Sequence, residues 1–354
     1  MKSFVLCVSL LALTYFSAFA EQSKTVYTYD VNGNLILEHE NHFNNFWRKT
    51  RWNYDERGNE LLHSQETKEG MKFKRENTFD SHNNKIESYY ETPDYWIKEV
   101  WTYDGKGNEL THEHTSSSGS NHVRKKAYNS ANQLVSEETQ YSGQNTNKIL
   151  ETFSYDPQGL LVEKRNHIND KLNLITKYTY DQQNNEKTQI QTDAHGRTRY
   201  TFSYSYDKRR NLIEAHFDQG TGWNRIEYVY DDDDRLIEKK TTTHNGRLER
   251  EEHTYDQHGN QTELYEFSRS NKDEKGRWTK TTWRYDRNQR MTRRVIERDY
   301  GSINTCDVTY NNKGLMEKEH YENNANEWKT ITYTYNAADQ LVEKAVETND
   351  QGDR

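Results

Sequence analysis

Two prolines in 354 residues leave the backbone almost free of forced breaks. Proline cannot donate to a sheet ladder, so a chain nearly without it is open to continuous strand structure. Cysteine is as scarce, with only Cys7 and Cys306. Cys7 falls in the leader described below, which leaves Cys306 alone, excludes an internal disulfide in the mature chain and puts stability on packing. Cys306 shares strand parity with Val308 and Tyr310, which marks it as a small buried hydrophobe rather than a reactive thiol. Long apolar runs are missing too, except for Phe4 to Phe16. That run follows Lys2 and precedes Ser17-Ala18-Phe19-Ala20, the parts of a secretory signal peptide. It is too short and wrongly flanked for a spanning helix, and no later segment is apolar enough to cross a bilayer. The expectation is a signal peptide over 1–20, cleavage after Ala20 and a single mature domain over 21–354. Such a chain is exported and soluble: periplasmic, at the cell surface or extracellular.

The charge balance is equally uninformative about partners of one sign. A net charge of -8 gives no support for nucleic-acid binding. Hydrophobic residues make up 31% and charged residues 30%, a balance that in a non-repetitive chain reads as disorder. What is present argues the other way: 26 Tyr, 8 Trp and 11 Phe, placed periodically.

The period is carried by an aromatic–acidic doublet. It stands at Tyr29-Asp30, Tyr54-Asp55, Phe79-Asp80, Tyr103-Asp104, Tyr128-Asn129, Tyr155-Asp156 and Tyr180-Asp181. It continues at Tyr206-Asp207, Tyr230-Asp231, Tyr255-Asp256, Tyr285-Asp286, Tyr310-Asn311 and Tyr335-Asn336. Thirteen copies, 24 to 30 residues apart, define a repeat architecture. The position two before the doublet is aromatic in nine copies, with Thr or Ser commonly between, as in Tyr27-Thr28-Tyr29. This alternation predicts a half-buried strand with an aromatic face and a hydroxyl-rich face. The Asp or Asn predicts a turn held by its own side chain. Three residues on, Gly33, Gly58, Gly107, Gly159, Gly259, Gly314, Asn83, Asn132, Asn184, Asp234 and Asp339 suit a left-handed conformation, and only Arg210 and Gln289 depart. Eleven matches in thirteen point to a type I hairpin turn with a bulge. A second, looser turn closes each unit, as at Glu69-Gly70, Ser142-Gly143 and Gly220-Thr221-Gly222.

Two strands per copy predict about 26 strands in an antiparallel meander, about 125 Å wide if flat. Open sheets of that size curl. The predicted fold is all-β: tandem antiparallel β-hairpin repeats forming a curled or spiral elongated sheet, aromatic face inward. Its two edge strands are expected to need protection, with Lys24 and the tail after Thr348 as candidates.

The pattern Tyr-x-Tyr-Asp-x-x-Gly followed by Asn-Leu, plainest at Asp30–Leu35, Asp104–Leu110 and Asp207–Leu212, resembles the YD repeat of the Rhs family. The resemblance covers Lys24 to Glu347. It implies a secreted or surface-exposed β-sheet shell, and repeats of this type are associated with carbohydrate binding. Large relatives wrap the sheet around a C-terminal toxin. The chain here ends in a turn-like half repeat, Thr348 to Arg354, so the toxin role is not expected to carry over. It looks more like a short exported form.

Against that frame few residues suggest chemistry. Trp47, Trp96, Trp223, Trp278 and Trp328 each stand seven residues before a doublet aromatic and could stack sugar rings or pack as core. The odd offset puts them on the opposite strand face unless a bulge intervenes. His39 and His42, and His112 with His114, have no matching further ligands, so a solvated face is expected and no metal. Asp231 to Asp234 lacks the alternating ligands of a calcium loop and reads as a turn. Arg284, Arg287, Arg290, Arg293, Arg294 and Arg298 make the eleventh copy basic, either toward an anionic glycan or as a solvated, paired face. No nucleophile motif, catalytic cysteine or phosphate loop is present, so no catalysis and no cofactor are expected. The expectation is a non-enzymatic repeat protein that binds glycan or another envelope component. The alternative is a structural shell or scaffold for a separately encoded protein partner.

Overall fold

The computed structural model describes residues 21–42, 45–143, 146–183, 185–271 and 275–349. The expected signal peptide over 1–20 and the tail beyond residue 349 lie outside them. Among the described residues every regular element is a strand, 26 in all, each antiparallel to its neighbours in chain order. The first strand, β1 (Glu21–Tyr29), also pairs with the last, β26 (Leu341–Thr348), from Glu21 opposite Thr348 to Val26 opposite Glu343. The sheet is therefore a closed barrel. The expectation of an open curled or spiral sheet with two edges to protect is overturned. Lys24 does sit at the seam, where its ammonium is 2.7 Å from Glu343, but it joins strands rather than shielding an edge.

The repeat register explains why the ring closes. In each copy the residue before the doublet aromatic leads across the outgoing strand to the residue three before the next doublet aromatic. Thr28 leads through Leu37 to Arg51, Thr102 through Thr111 to Lys125, and Arg284 through Arg293 to Asp307. Each copy thus steps two residues relative to the last. The seam obeys the same rule, with Thr334 leading through Glu343 to Val26. Thirteen such steps give a stagger of about 26 residues, equal to the strand number, which tilts the strands by about 35° and sets a backbone diameter of about 50 Å. The seam is one more repeat boundary, and the edge problem disappears.

Each hairpin is set by the doublet. Asp104 accepts from the backbone N–H groups of Lys106 and Asn108 at 2.8 and 2.9 Å and from the Asn108 amide at 2.8 Å. Gly107 then takes a φ of 84°. Arg210 and Gln289, the two departures from the pattern, take φ of 74° and 62° all the same, so the turn imposes its conformation on unsuited residues. Asn184 lies outside the described residues. Just after every doublet turn the outgoing strand carries one extra residue, as between Thr102 and Tyr103 opposite Thr111 and Glu109.

The doublet tyrosine ties one copy to the previous one. The ladder between copies ends with Glu87 facing Val100, and beyond it the Tyr103 hydroxyl donates to the Lys85 carbonyl at 2.8 Å. Eight other doublet tyrosines do the same, including Tyr180 to Leu161, Tyr285 to Gln261 and Tyr335 to Met316. Where the third copy has Phe79 instead, the Asn77 amide donates to the equivalent carbonyl, that of Glu60, at 2.9 Å.

The two faces of the wall differ. Among the described residues all eleven buried ones, including Thr50, Ser88, His112, Thr281, Cys306 and Ile331, lie on the face of the doublet aromatics. On a closed wall the inward side chains converge and cover one another while outward ones splay apart, so the doublet aromatics line the lumen. Cys306 is buried there, as its parity with Val308 and Tyr310 predicts. No contact among the described residues crosses the ring: the elements touch only along the sheet. As far as the described residues go, the barrel is a wall one sheet thick around a lumen that none of them crosses, and cross-strand pairs are its unit of stability.

Candidate functional site

The strands that carry the five singled-out tryptophans at or next to their first residue run unbroken to their doublets, so the odd offset holds. These are β3 (Trp47–Tyr54), β7 (Trp96–Tyr103), β17 (Trp223–Tyr230), β21 (Arg277–Tyr285) and β25 (Trp328–Tyr335). All five indoles therefore stand on the outer face, at the second-turn end of the wall. The three other tryptophans of the described strands, Trp52, Trp101 and Trp283, share the lumenal face with the doublet aromatics.

Each outer tryptophan sits diagonally beside an aromatic ring of the preceding strand. The pairs are Trp47 with His39, Trp96 with Tyr89, Trp223 with His216, Trp278 with Tyr265 and Trp328 with His320, with ring centroids 6.0 to 6.3 Å apart. The sequence reading missed these partner rings, each of which stands two residues before the residue that faces the tryptophan across the ladder. Trp96 and Trp223 keep 38% and 39% of their surface exposed. The tryptophans are neither a dry core nor free platforms. They are half-covered aromatic pairs on a wet wall.

Barrel closure also brings them into order. In sequence they form two separated groups, 47 and 96, then 223, 278 and 328. Around the ring, β17, β21, β25, β3 and β7 follow one another at intervals of four strands, the seam included. Four tilted strands span about 23 Å of rim. The fifth to eighth copies carry Asn121, Lys148, Asn173 and Arg199 at the equivalent position, so one arc of the rim is without tryptophan.

Charged pairs cover the same outer face: Arg51 with Glu66 at 2.8 Å, Lys98 with Glu87 at 3.0 Å, and Lys280 with Glu263 at 2.8 Å. The lumen is charged as well, with Arg48 against Glu40 and Lys239 against Glu251. Neither face offers the continuous apolar band that a lipid-facing barrel turns outward. No helix among the described residues is long and apolar enough to cross a membrane.

The other sequence candidates are dispersed. His112 and His114 do share a face, but it is the lumenal one, and the expectation of a solvated pair fails for His112, which is 8% exposed. Its ring stacks on Trp101 at 4.9 Å, its Nε2 is 3.2 Å from Glu99, and Arg124 donates to its Nδ1 at 3.1 Å. Burial, with Arg124 beside it, pushes the His112 pKa below its ordinary value, and burial does the same at His122, stacked 4.8 Å from His114. Among the described residues no group of His, Cys, Asp and Glu is arranged to hold a metal ion. His39 is outside, beside Trp47, and His42 lies in a second turn, 3.3 Å from Glu40. Asp231 holds its turn as expected, accepting from Asp233, Arg235 and the Arg235 side chain. The six arginines do not form one patch. Arg284 and Arg293 face outward, the latter 3.3 Å from Asp307. Arg290 is tied to Asp286 at 2.6 Å and lies over Tyr310, while Arg294 and Arg298 point to the lumen.

No protein-family model matches the chain, and no curated protein does. Among solved structures, two crystal structures of TcdB2-TccC3 align with 93% of the chain at 12% identity, with TM-scores of 0.33 and 0.32. The chain spans 22% of the length of those chains. A porin-like protein from Bacteroides uniformis aligns with 94% of the chain at 9% identity and a TM-score of 0.20. Scores this low leave the function to be argued from the chain's own residues.

Proposed function

We propose that this is an exported, non-enzymatic repeat protein of YD type that binds glycan through the outer tryptophans of its wall. The observation that carries the reading is the shared construction of five sites. Each presents an indole beside a second ring, on a water-facing surface rich in hydrogen-bonding groups. Pyranose rings offer apolar faces to aromatic planes and hydroxyls to the charged and amide groups around them. The signal-peptide pattern of the first twenty residues supports export, and charges on both faces favour a barrel bathed in water.

Glycan-array screening of the chain from Glu21 onward, followed by indole fluorescence titration with the sugars retained, tests this. Quenching or a blue shift that Trp223→Ala and Trp96→Ala each diminish is expected. An empty array, with fluorescence unmoved, would remove the reading.

A second reading rests on a separate observation. The open lumen, about 50 Å across between backbones before side chains are counted, suits a shell or scaffold around a separately encoded partner. A protein that co-purifies stoichiometrically and protects lumenal rather than outer residues from labelling would favour it.

A further inference from the structure

We infer that the outer rim carries a row of equivalent subsites that one long polysaccharide chain occupies together. This rests on the glycan reading above and adds what the ligand must be: a polymer with repeating units, bound by avidity.

The argument begins with the detail of the sites. In three of them the aromatic pair is followed, one diagonal further along the same two strands, by an ion pair. Between β6 (Lys85–Glu91) and β7, Tyr89 and Trp96 are followed by Glu87 and Lys98, 3.0 Å apart. Between β16 (Leu212–Asp218) and β17, His216 and Trp223 are followed by Glu214 and Arg225 at 2.9 Å. Between β20 (Gln261–Arg269) and β21, Tyr265 and Trp278 are followed by Glu263 and Lys280 at 2.8 Å. The remaining two keep the plan with changed chemistry. Lys49 lies over the Trp47 ring at 4.9 Å, and the His320 ring, beside Trp328, meets the Thr330 hydroxyl at 2.9 Å. An exposed indole edge with a donor and an acceptor beside it matches one sugar: a ring face to stack, and neighbouring hydroxyls for ammonium and carboxylate.

One such half-covered site holds little binding energy by itself. Five of them at one height, about 23 Å apart along the rim, convert the second and later contacts into intramolecular ones, and linked binding of this kind raises affinity by roughly 10²- to 10⁴-fold without new contacts. The gain comes only if the ligand spans the interval. A short oligosaccharide cannot; a long chain running around the barrel can. The fifth to eighth copies interrupt the row, so the chain would leave the wall there.

The test uses the full mature chain and length-graded fragments of dextran, laminarin and polygalacturonate. Affinity is measured by titration calorimetry for fragments shorter and longer than the interval. The expected result, in at least one series, is a rise of 100-fold or more once a fragment can bridge two tryptophans. Trp278→Ala, inside the row with a tryptophan on either side, should then lower long-chain affinity at least 10-fold while removing one short-fragment site. Trp278→Tyr keeps a ring at that position, guards against misfolding and should fall between the two. Binding that does not change with length would overturn the row while leaving glycan binding in place. No binding in any series would remove both.

Discussion

The two ends of the wall are built on opposite principles. At the doublet end the distance from the doublet aromatic to the first residue of the outgoing strand is the same in all thirteen copies, as from Tyr29 to Leu35 and from Tyr335 to Leu341. Neighbouring turns are also laced together there. Asn108 bonds Asn132 at 2.7 Å, Asn211 bonds Asp234 at 2.7 Å, and Lys313 bonds Asp339 at 2.6 Å. At the other end the turns differ in length and residue type, and the whole variation of the period, from 24 to 30 residues, is absorbed there. The doublet end fixes the ring. The second-turn end, with the tryptophans, is free to differ from copy to copy and so to carry specificity.

The sharpest way to break this comparison is to insert one glycine at each end. After Gly107 the insertion shifts the outgoing strand by one residue, which would exchange its lumenal and outer faces. We expect a loss of several kcal/mol, enough to abolish the cooperative denaturant transition of the chain. After Ser118, in a second turn, the same insertion lengthens a loop and should cost well under about 1 kcal/mol. Equal losses at both sites, measured by urea unfolding, would show that the two ends are not different in kind.

A finer test concerns the carbonyl that the doublet hydroxyl satisfies. Tyr285→Phe removes its donor to Gln261 and should cost about 1 kcal/mol. In the third copy nature has made that exchange already, and Asn77 serves the Glu60 carbonyl in its place. Asn77→Ala is therefore expected to destabilise by about as much. Adding Phe79→Tyr to Asn77→Ala should recover most of the loss, while Phe79→Tyr alone should gain little. A double-mutant cycle with no coupling between the two positions would refute the exchange.

How far the sequence goes follows from which interactions are local. The doublet, its turn and the alternation behind it involve residues within a few positions of one another, so strand number, turn type and the buried Cys306 were all readable. The open sheet was the wrong conclusion because closure depends on a two-residue step between copies, which no motif displays: the strand registers show the step, and the pairing of Val26 with Glu343 shows the closure. The tryptophan row was hidden for the same reason. Trp47 and Trp328 are far apart in the chain and belong to one arc only across the seam. His112 was misjudged because its neighbours Trp101, Glu99 and Arg124 come from adjacent strands.

The smallest expected effect distinguishes turns within the doublet end itself. Asp104 accepts side-chain and backbone hydrogen bonds from Asn108 and a further one from the Lys106 N–H, and these hold its carboxyl below the usual carboxylate range. A depressed folded value means that the stabilisation is fully present above the ordinary carboxylate pKa and is lost as pH falls through the folded one. Asn129, Asn311 and Asn336 make the same turn with an amide that does not titrate. Amide hydrogen exchange followed from neutral pH into acid should therefore show the Lys106 and Asn108 N–H groups losing protection first. The Gln133 N–H, held by Asn129, should change only when the whole ring gives way. Asp104→Asn should make the fourth turn behave like the fifth, because the new amide keeps the acceptor and drops the proton equilibrium. If the variant instead lost protection at neutral pH, the charge of Asp104, and not only its acceptor geometry, would be holding the turn.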